Sequence, residues 1–141
     1  MSMWEMVLAL FAVVLFTSIS LSYNQALWTQ TDYLNNATLV VQANHICHSV
    51  LDEIDAKLFS KSYSFLNIVS MFRDSTNVVY YPHLKQSFNI KLTAIDSDSL
   101  GFSLPSPNPN SLFKTVTVTV SGPSALRHNI SLKRLYTKTN M

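Results

Sequence analysis

From Met6 to Leu21 the chain reads M-V-L-A-L-F-A-V-V-L-F-T-S-I-S-L, and no charged residue occurs between Met6 and Thr31. A helix needs about 20 apolar residues to cross the hydrocarbon core of a bilayer, so this run and the uncharged residues after it are long enough. No Gly precedes Gly101 and no Pro precedes Pro82, so nothing in the backbone chemistry forces a helix to stop early. Beyond Asn24 the pattern turns from wholly apolar to striped. Tyr33, Ala37, Val40, Ala43, Cys47, Leu51, Ile54 and Leu58 follow at steps of three or four, with Asn35, Asn36, Gln42, Asn44, Ser49, Asp52 and Glu53 between them. This spacing predicts an amphipathic continuation of the same helix. A helix of roughly 55 residues is about 80 Å long, too long to pack inside a globule of this size. Its front half must therefore be covered by something else.

After Leu58 the helical pattern fades, although Tyr63–Arg73 suits a helical turn or a second short helix. Four segments then read as strands: Asn77–Tyr81, Phe88–Ile95, Phe113–Val120 and Asn129–Lys133, the last with a continuation through Arg134 to Thr137 left open. Their alternation predicts antiparallel strands with one buried face. Turn-prone Asp96–Ser99, Pro105–Asn110 and Ser121–Ser124 separate them, and Leu100–Leu104 is a candidate edge strand. The striped helix is the natural cover for the buried face. The expected class is α+β: a long N-terminal α-helix packed on a C-terminal antiparallel sheet of about four strands. Residues 1–25 form the apolar transmembrane or filament-core helix. Residues 26–141 form the head, made of the amphipathic half of the helix and the sheet.

Composition sharpens this picture in two ways. The single Cys excludes an internal disulfide framework and a Cys-only zinc site. The net charge of +2 conceals an asymmetry: residues 1–56 hold five acids and no Lys or Arg, whereas residues 57–141 hold ten bases and three acids. Lys114, Arg127, Lys133, Arg134 and Lys138 make the C-terminal sheet basic. That charge suits DNA, an anionic surface, the acidic helical half of adjacent subunits, or plain solvation. Complementing a neighbour's helix is the simplest of these roles, and nucleic acid is not firmly implied.

Glu5 is the one charged side chain at the front of the apolar run, and no basic residue precedes that run. A secretory signal begins with positive charge, and an inner-membrane anchor keeps Lys or Arg on its cytoplasmic flank. A carboxylate in so apolar a segment needs a partner. The nearest cation is an α-amino group, its own or that of a neighbouring chain; the alternative is a simple interfacial acid at the end of an anchor.

Met1-Ser2-Met3-Trp4-Glu5-Met6-Val7-Leu8-Ala9-Leu10 resembles the mature start of type IV pilins. The resemblance implies that a basic leader is removed by a prepilin peptidase, which also methylates the new N-terminus, here Met1. It further implies that Glu5 and Met1 act in subunit assembly, the acid neutralising a neighbour's N-terminus inside a helical polymer. The implied protein is a structural subunit of an extracellular, type IV pilus-like filament on the bacterial cell surface. It waits in the inner membrane and is handled by a pilus assembly machinery. A pseudopilin or minor pilin of a secretion or DNA-uptake apparatus has a similar architecture. A single-pass anchored periplasmic binding protein is the reading from another class. With one Cys, the C-terminal disulfide loop common in major pilins cannot form.

Other chemistry is sparse. No Gly-rich phosphate loop, nucleophile elbow or paired catalytic carboxylates occur, so no enzyme and no cofactor are expected. His45, Cys47 and His48 are the only cluster with metal-ligand chemistry, and His48 and Asp52 share a helical face. Cys47 lies on the apolar stripe, where a free Cys is usually a small core hydrophobe, and no metal site is assigned. Trp4, Phe11, Phe16, Tyr23, Trp28 and Tyr33 stud the helix as packing and anchoring groups, with an aromatic electron path as the alternative. Thr17–Asn24 is the weakest helix-forming stretch of the rod, and the resemblance makes it the candidate segment for melting on assembly, the alternative being a continuous helix with its hydroxyls bonded back to their own carbonyls. Asn36-Ala37-Thr38 and Asn129-Ile130-Ser131 match the N-glycosylation triplet, a frequent chance pattern.

Overall fold

The computed structural model describes residues 2–138. A single helix, α1 (Met3–Phe59), is followed by a 3-10 turn (Phe65–Asn67) and the short helix α2 (Ile68–Met71). The sheet then runs through β1 (Ser75–Tyr81), β2 (Gln86–Ser97), β3 (Phe113–Ser121) and β4 (Ile130–Thr137). All neighbours are antiparallel, in the order β1-β2-β3-β4. The α+β class and the four strands are as the alternation predicts. The chain divides into two compact units, one up to Ala37 and one from Thr38 onward.

In the second unit the helical stripe and one sheet face form a single core. Leu39, Ala43, Ile46, Cys47, Leu51, Ile54 and Leu58 are buried on α1. They belong to the same cluster as Phe88, Ile90 and Ala94 of β2 and Val116, Val118 and Val120 of β3. The register places Ile90 opposite Val120, Leu92 opposite Val118 and Ala94 opposite Val116, so like faces like across the buried side. Burial begins at Leu39; Tyr33, Ala37 and Val40 of the expected stripe are exposed or only half-buried.

Several expected boundaries shift, each for a local reason. The helix stops at Phe59 because Lys61 turns left-handed (φ 56°) and the Lys61 and Tyr63 amides donate to Leu58 and Lys57 carbonyls. A Gly usually marks such a stop, and here a Lys performs it. Asp96 and Ser97, expected in a turn, belong to β2 and pair with Lys114 and Phe113. Leu100–Leu104 forms no strand; only Ser103 bridges to Ser97. Asp98 prevents one, because its Oδ1 accepts the Leu100 and Phe102 amides at 2.9 Å each and curls the segment into a turn. Gly101 supplies the left-handed residue that this turn requires (φ 84°).

Polar groups fasten the helix to the last strand. Arg134 Nη1 donates to Asp52 Oδ1 at 3.0 Å and to Asp55 Oδ2, while the Tyr136 hydroxyl donates to Asp55 Oδ1 at 2.6 Å. Burial opposes the charge on Arg134, but the hydrogen bond with Asp52 and the charge of Asp55 outweigh it and raise its pKa. Burial, then the bond to Asp55, raises the Tyr136 hydroxyl well above its ordinary 10.0. Burial likewise raises the Cys47 thiol above 9.0, with its Sγ resting 3.9 Å and 3.8 Å from the Val118 and Ile130 carbonyls.

The Tyr136 hydroxyl and the Cys47 thiol are neutral acids that stay protonated longer in the folded state. Above pH 9 the unfolded chain sheds these protons and the folded chain keeps them, so stability falls as pH rises. Denaturant midpoints measured from pH 7 to 10.5 are expected to hold up to about pH 9 and then decline. A midpoint that rises over that window would contradict the assignment. Cys47→Ala should remove the earlier part of the decline.

Candidate functional site

The front of α1 is the feature that calls for a functional explanation. Every large apolar side chain from Met3 to Trp28 is exposed, including Trp4 (77%), Phe16 (74%) and Trp28 (76%). Within this helix an 18-residue window reaches a mean hydropathy of 2.2, with none of it buried, and is long and apolar enough to cross a membrane. Covering one such side chain is worth about 1.5–3 kcal/mol, so leaving the whole run in water would cost tens of kcal/mol. The helix persists here because its hydrogen bonds close internally. Even the Ser- and Thr-rich stretch is continuous. Thr17 Oγ1 bonds back to the Val13 carbonyl at 2.7 Å and Asn24 Nδ2 to Ser20 at 3.0 Å. The backbone between Thr17 and Asn24 is thus intact in this single chain.

Glu5 sits in the first turn of α1 and is exposed. Its Oε2 accepts the Ser2 backbone N–H at 2.7 Å, while the Glu5 and Met6 amides donate to the Ser2 carbonyl at 3.0 and 3.3 Å. Ser2 is the N-cap and Glu5 the third helical residue, so Glu5 closes one arm of a capping box. An acid here also faces the positive end of the helix dipole. Glu5 therefore has a partner inside its own chain, the Ser2 backbone amide rather than an α-amino group. The signal was present as Ser2-Met3-Trp4-Glu5, the S-x-x-E spacing of that motif. Met1, assigned to assembly and methylation, lies outside the described residues.

The remaining candidates separate in space. His45 and His48 are exposed, whereas Cys47 is buried against β3 and β4, so the cluster divides between two sides of the helix. Asp52 is engaged by Arg134. Among the described residues no group of three or more His, Cys, Asp or Glu is placed to hold a metal. Trp4, Phe11, Phe16, Tyr23 and Trp28 all reach outward from α1.

Two of the five basic residues expected to face a neighbour's acidic helix do not. Lys114 is wholly buried, its Nζ 2.5 Å from Asp96 Oδ1 and 3.3 Å from the Pro109 carbonyl, over the Phe65 ring. Arg134, on β4, spends its charge on Asp52 and Asp55 of α1 in the same chain. The attraction between acidic helix and basic sheet is thus partly satisfied within one chain. Lys133 remains exposed on the outer face of β4.

A long apolar N-terminal helix whose rear half packs on an antiparallel sheet is a pilin-like architecture, compatible with membrane anchoring. Compared with known proteins, the chain matches no family model, no curated protein and no solved structure.

Proposed function

We propose that this chain is a structural, non-enzymatic subunit of a type IV pilus-like filament, held in the bacterial inner membrane by the front of α1 before assembly. The observation that carries the reading is the fully exposed apolar run from Met3 to Trp28, joined to a rear half that is already buried in its own head. Lipid covers the run in the waiting subunit, and the helices of neighbouring copies cover it in the polymer. Transfer from lipid to helix–helix contact changes hydrophobic burial little, because lipid tails are as apolar as Leu. Specificity must then come from close packing and from Glu5, which exchanges its contact with the Ser2 amide for a neighbour's N-terminal amine.

The direct test is to shear cells, pellet the supernatant at high speed and image the pellet while probing for this chain. Filaments built from it are the expected result. A chain that stays wholly in the membrane would overturn the filament reading.

A further inference from the structure

A cavity of about 550 Å³ opens on the head between α2, the end of β2 and the 103–109 loop. This lies within the range of about 300–1,000 Å³ typical of small-molecule sites. Its walls are mostly apolar: Leu66 and Val69 on one side, Leu104, Pro107 and Pro109 on the other. Three charged residues reach it, namely Arg73, Asp96 and Lys114. Asp96 and Lys114 neutralise each other at the buried end. Among the described residues Arg73 has no ion-pair partner, so the cavity carries one uncompensated positive charge.

The backbone adds a second, independent constraint. In an antiparallel sheet, alternate residues aim both their N–H and C=O at the same neighbouring strand. The ladder between β1 and β2 starts at Ser75 opposite Leu92. Four residues on from Leu92, the Asp96 carbonyl accepts the Leu104 amide at 3.1 Å on that same edge. Ala94 lies between them, faces the same way and has no strand partner on that side. It lines the cavity, and alternation aims its N–H and C=O toward that open edge. Its side chain is also the smallest on the buried face of β2, which keeps the space open.

We propose that this cavity binds an acylated apolar amino acid with a free carboxylate, the chemistry of a peptide C-terminus or of an N-acyl amino acid. The carboxylate pairs with Arg73, the acyl amide meets the Ala94 backbone, and the apolar side chain lies against Leu66, Val69 and Leu104. The proposal stands apart from the filament reading.

The test uses the full chain in lipid nanodiscs and follows head amide resonances by NMR. The probes are N-acetyl-leucine, its neutral N-acetyl-leucinamide counterpart, and a pentapeptide ending in leucine. Saturable shifts at Ser70, Ala94 and Ser103 are expected with N-acetyl-leucine. Binding should be about tenfold or more weaker for the amide, the worth of one charge-assisted hydrogen bond. Arg73→Gln should lose the same factor while the rest of the spectrum is unchanged, and Arg73→Lys should keep part of the affinity. Tighter binding of the pentapeptide would assign the site to protein C-termini; equal or weaker binding would assign it to free N-acyl amino acids. Absence of saturable shifts, or equal affinity for acid and amide, would overturn the proposal.

Discussion

Glu5→Lys and Glu5→Ala are expected to abolish filaments while leaving the head folded. Glu5 touches none of the buried core, so neither change disturbs the sheet. In the proposed filament each removes the acid that would neutralise a neighbour's amine in an apolar surround, where an unpaired charge costs several kcal/mol. The capping contact with Ser2 complicates a simple reading, because a lost cap alone weakens a helix by about 1 kcal/mol. Glu5→Gln separates the two roles. Its amide oxygen still accepts the Ser2 N–H, as Gln does in capping boxes, but it carries no charge. Filaments are expected to be missing from all three variants, by electron microscopy of sheared fractions. Normal filaments from Glu5→Gln would reduce Glu5 to a helix cap.

The second large effect concerns Lys114. Lys114→Met leaves Asp96 buried without its cation, a change that typically costs 3–5 kcal/mol. A domain of this size has only about 5–15 kcal/mol of stability in all, so the variant should lie near the edge of folding. Its thermal midpoint is expected to fall by well over about 10 °C. The double variant Lys114→Met with Asp96→Leu should recover most of the loss, since apolar residues of similar volume replace buried pairs at little cost. Tyrosine fluorescence during chemical unfolding of the full chain reads both. A single variant within about 1 kcal/mol of the parent would mean that water reaches Asp96 freely.

Much of this arrangement was readable from the residues alone. The length of α1 followed from the lack of Gly and Pro, and the strands followed from their alternation. Lys114 shares the parity of Val116, Val118 and Val120, and Asp96 that of Phe88, Ile90 and Ala94, so alternation already put both charges inside. The expectation that Lys lies at the surface hid this pair. Asp52 and Asp55 were equally concealed. They flank the helical stripe like solvated acids, and their link to Arg134 spans about eighty residues, beyond any local pattern. The candidate edge strand at Leu100–Leu104 failed because alternation cannot see the Asp98 side chain competing for its backbone amides. Ala94's open backbone edge depends on where β1 begins, which pairing decides and composition does not.

The order of the strands has a kinetic consequence. Each strand pairs with the next one along the chain, so β1–β2, β2–β3 and β3–β4 each close over a short separation. Chains dominated by such local closures search little and fold fast for their size. The striped half of α1 comes before the strands it covers, so it is waiting when they emerge from synthesis. The head can therefore complete itself within one chain. In the proposed filament, assembly would then begin with finished parts, and encounters between subunits would set its rate.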